Sequence, residues 1–168
     1  MAPMMATETP TTHSSGVALE AFWQASTLEN KSDMKGMEKY TRILSFSYET
    51  ISPRDAETGM ASGKRVHKPI VIQKYTDLST PLIMDALVGN RKLDKSEIIL
   101  YGATSKDGKR TQQLKVALTN VFIVRDYVLA SPEGSRAIEE VAMTFQKIEI
   151  TDIPNSKTAA DDWNAALA

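Results

Sequence analysis

The residue types able to do chemistry are few and scattered. The chain has two histidines and no cysteine, which excludes thiol nucleophiles, disulfides and cysteine-ligated zinc together. His13 falls in a segment without periodicity, so His67 is the one candidate general base. A catalytic imidazole needs a nucleophile and an orienting carboxylate, and no spacing around His67 supplies them. One histidine is also a poor metal site. His67 therefore reads as a packed or hydrogen-bonded side chain where a loop joins a strand. Glu139-Glu140 and Asp161-Asp162 are paired carboxylates, but neighbours on a strand point to opposite faces, and both pairs read as solvated charge. Gly59 and Gly63 do not open a helix and form no phosphate loop. Arg54, Lys64 and Arg65 make a basic cluster without interleaved aromatics, as expected of a salt-bridging loop tip rather than a nucleic-acid contact. The chain reads as a non-enzyme that takes no cofactor and no metal.

Those residues must be positioned by a chain of 168 residues, enough for one domain with a proper core. Twenty basic against twenty-one acidic residues leave a formal charge of −1, so no global field draws the protein onto nucleic acid or an anionic membrane. No apolar run is long enough to span a bilayer, and the first residues lack the basic and apolar regions of a signal peptide. The expected organisation is a mobile tail over residues 1–16, one domain over 17–153 and a C-terminal tail over 154–168.

Within the domain, Val17 to Ala25 predicts a first strand, followed by a polar loop from Leu28 to Gly36. Ile43 to Thr50 alternates, with Leu44, Phe46 and Tyr48 on one face, the signature of a half-buried strand. Ser52 to Gly63 has no apolar period and predicts an extended loop. Lys68 to Tyr75 is apolar on both faces at Ile70, Val71 and Ile72. Ser79-Thr80-Pro81 then predicts a hydroxyl cap and a preset φ at a helix start. The helix itself is expected over Pro81 to Val88, with a stripe of Leu82, Ile83, Ala86 and Leu87, and with Gly89-Asn90 ending it in a left-handed cap.

From Leu93 onward the pattern is a meander. Asp107-Gly108 predicts a type I′ hairpin. Leu114, Val116, Leu118, Phe122, Val124 and Val128 share one face of a long strand, interrupted by Asn120 and Asp126. A turn at Ser131-Pro132-Glu133-Gly134 follows. In the last strand Val141, Met143 and Phe145 share a parity that Ile148 and Ile150 do not, which predicts a β-bulge near Gln146-Lys147, where the strand crosses a barrel corner. The sum is a mostly β protein, a small antiparallel β-barrel of two sheets with one short α-helix on its flank. Lipocalins, phage tail-tube proteins and carbohydrate-binding sandwiches all fit that description.

The residues Gly63, Lys64, His67, Pro69, Lys74, Asp77, Ser79, Thr80 and Pro81, in this order and spacing, resemble the haemolysin-coregulated protein (Hcp) family of type VI secretion tube subunits. So do Ser45-Phe46-Ser47-Tyr48, the Val141-x-Met143-x-Phe145-x-x-Ile148 rhythm and the ending Asp162-Trp163-Asn164-Ala165. The resemblance runs from about Thr41 to Ile150 and recurs at the C-terminus, while Val17 to Trp23 matches weakly. It implies a barrel assembled with copies of itself as hexameric rings that stack into a tube expelled by a contracting sheath. The lumen would shelter effector proteins, and spike, baseplate and sheath proteins would be partners. Nucleic acid and direct membrane insertion are not implied. The subunit would assemble in the cytoplasm and leave the cell without a signal peptide. The Ser52 to Val66 loop, with Arg54, Asp55, Glu57, Lys64 and Arg65, would then reach a neighbouring subunit or ring, and Trp163 would anchor the C-terminal segment by burial. The rivals are a phage-like tail-tube protein and a monomeric barrel holding a small ligand, which would need an interior cavity.

Overall fold

The computed structural model describes residues 20–28, 35–104, 107–131, 133–134 and 136–165. The expected tail over 1–16 and the first residues of the opening strand lie outside them. Six strands close a barrel in the order β5-β2-β1-β6-β7-β8, with β5 pairing back onto β8. They are β1 (Glu20–Ala25), β2 (Thr41–Ser47), β5 (Ile70–Tyr75), β6 (Leu93–Thr104), β7 (Arg110–Leu129) and β8 (Ile138–Asp152). Short β3 (Thr50–Ile51) and β4 (Val66–His67) form a separate two-stranded sheet, and β9 (Lys157–Asp162) adds to β8 outside the barrel. The stretch expected as a C-terminal tail is thus a sheet strand as far as Asp162.

The core is one apolar cluster reaching through the barrel. Trp23, Ile70, Ile72, Ile83, Leu93, Ile98, Val116, Leu118, Val121, Val141 and Met143 are all buried in it. Bulky side chains from every barrel strand pack into this cluster, where a monomeric ligand-binding barrel would need a cavity. The groove of about 450 Å³ found among the described residues is open and mostly polar, lined by Lys95, Glu97, Lys115, Thr119, Lys147 and Glu149 among others. Phe22, Met37, Ile99 and Tyr101 form a second, smaller cluster. Leu28, expected in a polar loop, is buried in the main core.

Three departures from simple alternation matter. In β2 the register slips between Ile43 and Ser45, so Leu44 is the extra residue and points out. Ile43 is buried and Phe46 packs on the core, whereas Leu44 and Tyr48, expected inside, are exposed.

In β7, Val116 and Leu118 are buried, and so are Val121 and Ile123. β8 changes face at the same level, because Leu118 pairs with Ile148 and Val121 with Phe145 without any slip between them. The pivot is Asn120, at φ +51, whose side-chain amide donates to Gln146 at 2.6 Å. The expected phase switch near Gln146-Lys147 is present, but it is a corner turned by both strands and not a bulge.

The bulge of this ribbon lies at Val124, between Ile123↔Met143 and Arg125↔Ala142. Phe122 and Val124, between the Asn120 corner and this bulge, leave the face that strict alternation assigned them, whereas Val128 keeps its parity opposite Glu139 but is exposed. At the meander's other end Thr104 pairs with Arg110, and residues 105 and 106, which lead into the expected Asp107-Gly108 turn, lie outside the described residues. Gly108 has a positive φ, +73. At the next connection the Gly134 N–H donates to the Ser131 carbonyl at 2.9 Å, as the expected turn requires.

Helix α1 (Thr80–Val88) lies against β7 and delivers Ile83 and Ala86 to the core. Leu82, expected in its buried stripe, is exposed. The helix ends in a Schellman arrangement: Arg91 N–H donates to the Ala86 carbonyl and Asn90 N–H to the Leu87 carbonyl. The left-handed residue is Asn90, φ +47, while Gly89 stays in the right-handed region.

Candidate functional site

The motif residues of the central stretch come together in two polar clusters and one ribbon. The first cluster surrounds Lys74. Its side chain is fully buried and its ammonium donates to Glu139 Oε2 at 2.6 Å, Asp77 Oδ1 at 2.9 Å and the Tyr75 carbonyl at 3.2 Å. Glu139 is fully buried too. Its Oε2 also accepts the Thr80 hydroxyl at 2.8 Å, and the Thr80 oxygen in turn accepts the Asp77 N–H at 3.0 Å. Asp77 Oδ1 accepts both the N–H and the hydroxyl of Ser79, at 2.9 and 2.6 Å. Burial pushes the Asp77 carboxyl up, but the bonds from Ser79 and Lys74 outweigh it and hold the pKa below the usual carboxylate value.

The expected hydroxyl cap is therefore corrected. Ser79 occupies the N-cap position, yet no side chain caps the helix N–H groups, because both hydroxyls are spent on this cluster. What locks the strand-to-helix turn is an ion pair beneath it. Thr80→Val keeps the shape and removes the hydroxyl, which should destabilise the fold by about 1 to 3 kcal/mol. Urea unfolding checks this, and an unchanged midpoint would show that water replaces the hydroxyl.

The second cluster holds His67, whose side chain is 6% exposed. Asp161 Oδ2 lies 2.5 Å from His67 Nε2, and Thr50 Oγ1 lies 3.0 Å from Nδ1. Asp161 also accepts from Arg65 Nε, and Arg65 Nη2 donates to the Asp162 carbonyl at 2.8 Å. The Arg65 bond, with His67 beside it, lowers the Asp161 pKa to about 2. An ionised Asp161 only accepts, so Nε2 carries the hydrogen of that bond. The His67 ring meets Phe145 and Trp163 edge-on, each at 5.4 Å between centroids.

His67 is thus structural, tying the root of the β3–β4 sheet to β9. The solvated reading of Asp161 and of Glu139 is overturned, since each is the acceptor at the centre of a cluster. Within the single subunit Trp163 is 47% exposed, and its backbone N–H donates to the Gln146 carbonyl at 3.0 Å. With its folded pKa below the unfolded value, Asp161 contributes stability that is present above about pH 4 and lost as pH falls toward 2. Asp161→Asn should flatten the acid limb of the stability profile in that window, as read by melting temperature against pH.

Beyond these roots the expected loop is a narrow ribbon. Arg54 and Ala61 form a bridge, and Asp55 organises the tip by accepting from the N–H groups of Glu57 and Thr58 and from the Thr58 hydroxyl. Gly59 turns it at φ +70, while Gly63 has no positive φ. Arg54, Glu57 and Lys64 are exposed and form no ion pair among the described residues. Arg65 differs from the other ribbon charges because its guanidinium is held by its own chain. Pro69 is exposed in the link from β4 to β5, and Pro81 lies in the first turn of α1.

Besides Leu44, Tyr48 and Trp163, three groups of large apolar side chains stay uncovered among the described residues. They are Val124, Tyr127, Val128, Leu129 and Ile138 at the far end of the β7–β8 ribbon; Leu78, Leu82, Met84 and Val88 along α1; and Ile51, Met60 and Val66 on the β3–β4 ribbon. Among the described residues no group of three or more His, Asp or Glu is placed to hold a metal ion.

Sequence alone missed Glu139 and Asp126. Glu139 was detectable by parity, since it falls on the inward face with Val141, Met143 and Phe145. The partnership of Arg65 with Asp161, ninety-six residues apart, had no local signal.

A family model described as "Type VI secretion system effector, Hcp" matches residues 22–151. The Major exported protein of Pseudomonas aeruginosa is 34% identical over 140 residues, which span 80% of this chain and 81% of that protein. Among solved structures, an Hcp protein superposes with a TM-score of 0.77 at 21% identity, covering 86% of this chain and 99% of that one. The secreted protein Hcp3 of Pseudomonas aeruginosa gives 0.69 at 24% identity, covering 88% and 100%. A barrel with this strand order, this central motif and this extent of match establishes that the chain belongs to the Hcp family of type VI secretion proteins.

Proposed function

We propose that the protein is the structural subunit of a type VI secretion inner tube. Six copies close a ring and rings stack into a tube that sheath contraction expels, carrying effectors in its lumen. Spike, baseplate and sheath proteins are the further partners. The subunit assembles in the cytoplasm, is exported with the tube, and works by shape and contact without catalysis. The observation that carries this reading is the combination of a filled barrel interior with uncovered Val124, Val128, Leu129 and Ile138 at one end and Leu82, Met84 and Val88 on the helix. A solitary domain gains nothing from that exposure, whereas contacts between copies bury it.

Purified protein should form closed rings in negative-stain images without ligand or metal. Monomer alone from micromolar to near-millimolar concentration overturns the proposal. Leu129→Lys should shift the population toward monomer while leaving the monomer's melt unchanged. Removing the ribbon tip, residues 55–60, should leave a cooperative melt, since loop length itself costs little, but weaken ring or stacking contacts. A lost melt would place the ribbon in the fold and not in assembly.

A further inference from the structure

The Val124 bulge has a specific result: it restores Asp126 to the inward face, where Asp126 pairs with the fully buried Val141. Glu139 lies two residues from Val141 on β8 and is the diagonal neighbour of Asp126 on that face. Asp126 Oδ1 and Glu139 Oε1 are both buried, and neither has a hydrogen-bond donor. Two ionised carboxylates only accept, so they cannot satisfy each other. Lys74 offers no help, because its ammonium is committed to Glu139 Oε2, Asp77 and the Tyr75 carbonyl. Among the described residues, the other groups on Lys74 and Glu139 are Asp77 from the turn before α1 and the Thr80 hydroxyl from α1 itself, which adds a third carboxyl and no second cation. Arg125 and Glu140 sit on the opposite face and pair with each other. Arg136 lies over the Tyr75 ring at 4.2 Å.

We propose that a single proton shared between Asp126 and Glu139 is a catch that fastens the far end of β7 to the barrel and, through Glu139 and Thr80, to the start of α1. One proton turns the two orphaned oxygens into an O–H···O bond and leaves one cation facing two anions instead of three. Burial and the neighbouring Glu139 push the Asp126 carboxyl up to about 7, although Lys74 pulls the other way. The segment so fastened, Tyr127 to Leu129, carries exposed apolar side chains, so the proton governs the order of a surface as well as the fit of a core.

Because the folded pKa stands above that of the unfolded chain, the catch is strongest in mild acid. It weakens as pH rises from about 4 to about 7 and makes no further change above. Hydrogen exchange of the full chain, read by mass spectrometry and corrected for intrinsic rates, tests this. Protection of residues 126–129 should fall by up to about tenfold per pH unit across that window, while residues 114–118 change little. Asp126→Asn supplies a permanent donor and should remove the dependence. Wild-type protection independent of pH, or the same dependence in Asp126→Asn, overturns the catch. If the variant does not fold, the contrast between the two wild-type segments still decides.

Discussion

Replacing Lys74 with methionine should lower the stability of the domain by about 3 to 5 kcal/mol, the range expected when one partner of a buried ion pair is removed. The ammonium is the only cation among Glu139, Asp77 and Asp126 in the described cluster, with its side chain and that of Glu139 both fully buried. Methionine fills nearly the same volume, so the loss reports charge and not a cavity. The stranded Glu139 must then take up a proton or open a path to water, and either route loosens the turn into α1. The double variant Lys74→Met, Glu139→Gln should lose less than the sum of its parts, because the uncompensated charge is gone. Urea unfolding at a fixed protomer concentration is the measurement, since assembly adds concentration-dependent stability. A loss under about 1 kcal/mol for the single variant would show that the neighbouring carboxyls take up protons at little cost.

Trp23→Ala should be as damaging, about 3 to 5 kcal/mol, by a different route. The indole is 1% exposed at the centre of the main core. Its Nε1–H donates to Ser96 Oγ at 2.8 Å, and that hydroxyl donates onward to the Gln24 carbonyl at 3.0 Å. Truncation leaves a cavity and strips a buried hydroxyl of its donor. Trp23→Phe refills most of the space, so the difference between the variants separates packing from the hydrogen bond. Equal losses would mean that the bond dominates.

The architecture was legible because its signals are local. Alternation in β2 and β8, turn residues at Ser131 and Gly134, and the Pro81 start with an Asn90 stop each act within a few residues. Faces were misassigned wherever one residue broke the count: Leu44 and Val124 as bulges, Asn120 as a corner. No composition rule marks a bulge in advance, because the partner strand's register decides it. The site was legible in part. The motif from Gly63 to Pro81 pointed to the family, but the reason for its spacing lay in residues far along the chain. Lys74 and Asp77 need Glu139, and His67 needs Asp161. A charge next to a like charge, as in Glu139-Glu140 and Asp161-Asp162, reads as solvated until a distant strand supplies the cation.

The β7–β8 ribbon also has a mechanical side. β7 runs for twenty residues, about 65 Å at the usual rise per residue, and pairs with β8 over most of that length. A load applied along such a ribbon acts on its cross-strand hydrogen bonds in parallel, so they resist as a set and do not peel one at a time. Stiffness is interrupted at only two levels, the Asn120–Gln146 corner and the Val124 bulge. A subunit driven end-on would therefore flex at those two joints first and transmit thrust through the rest as a strut.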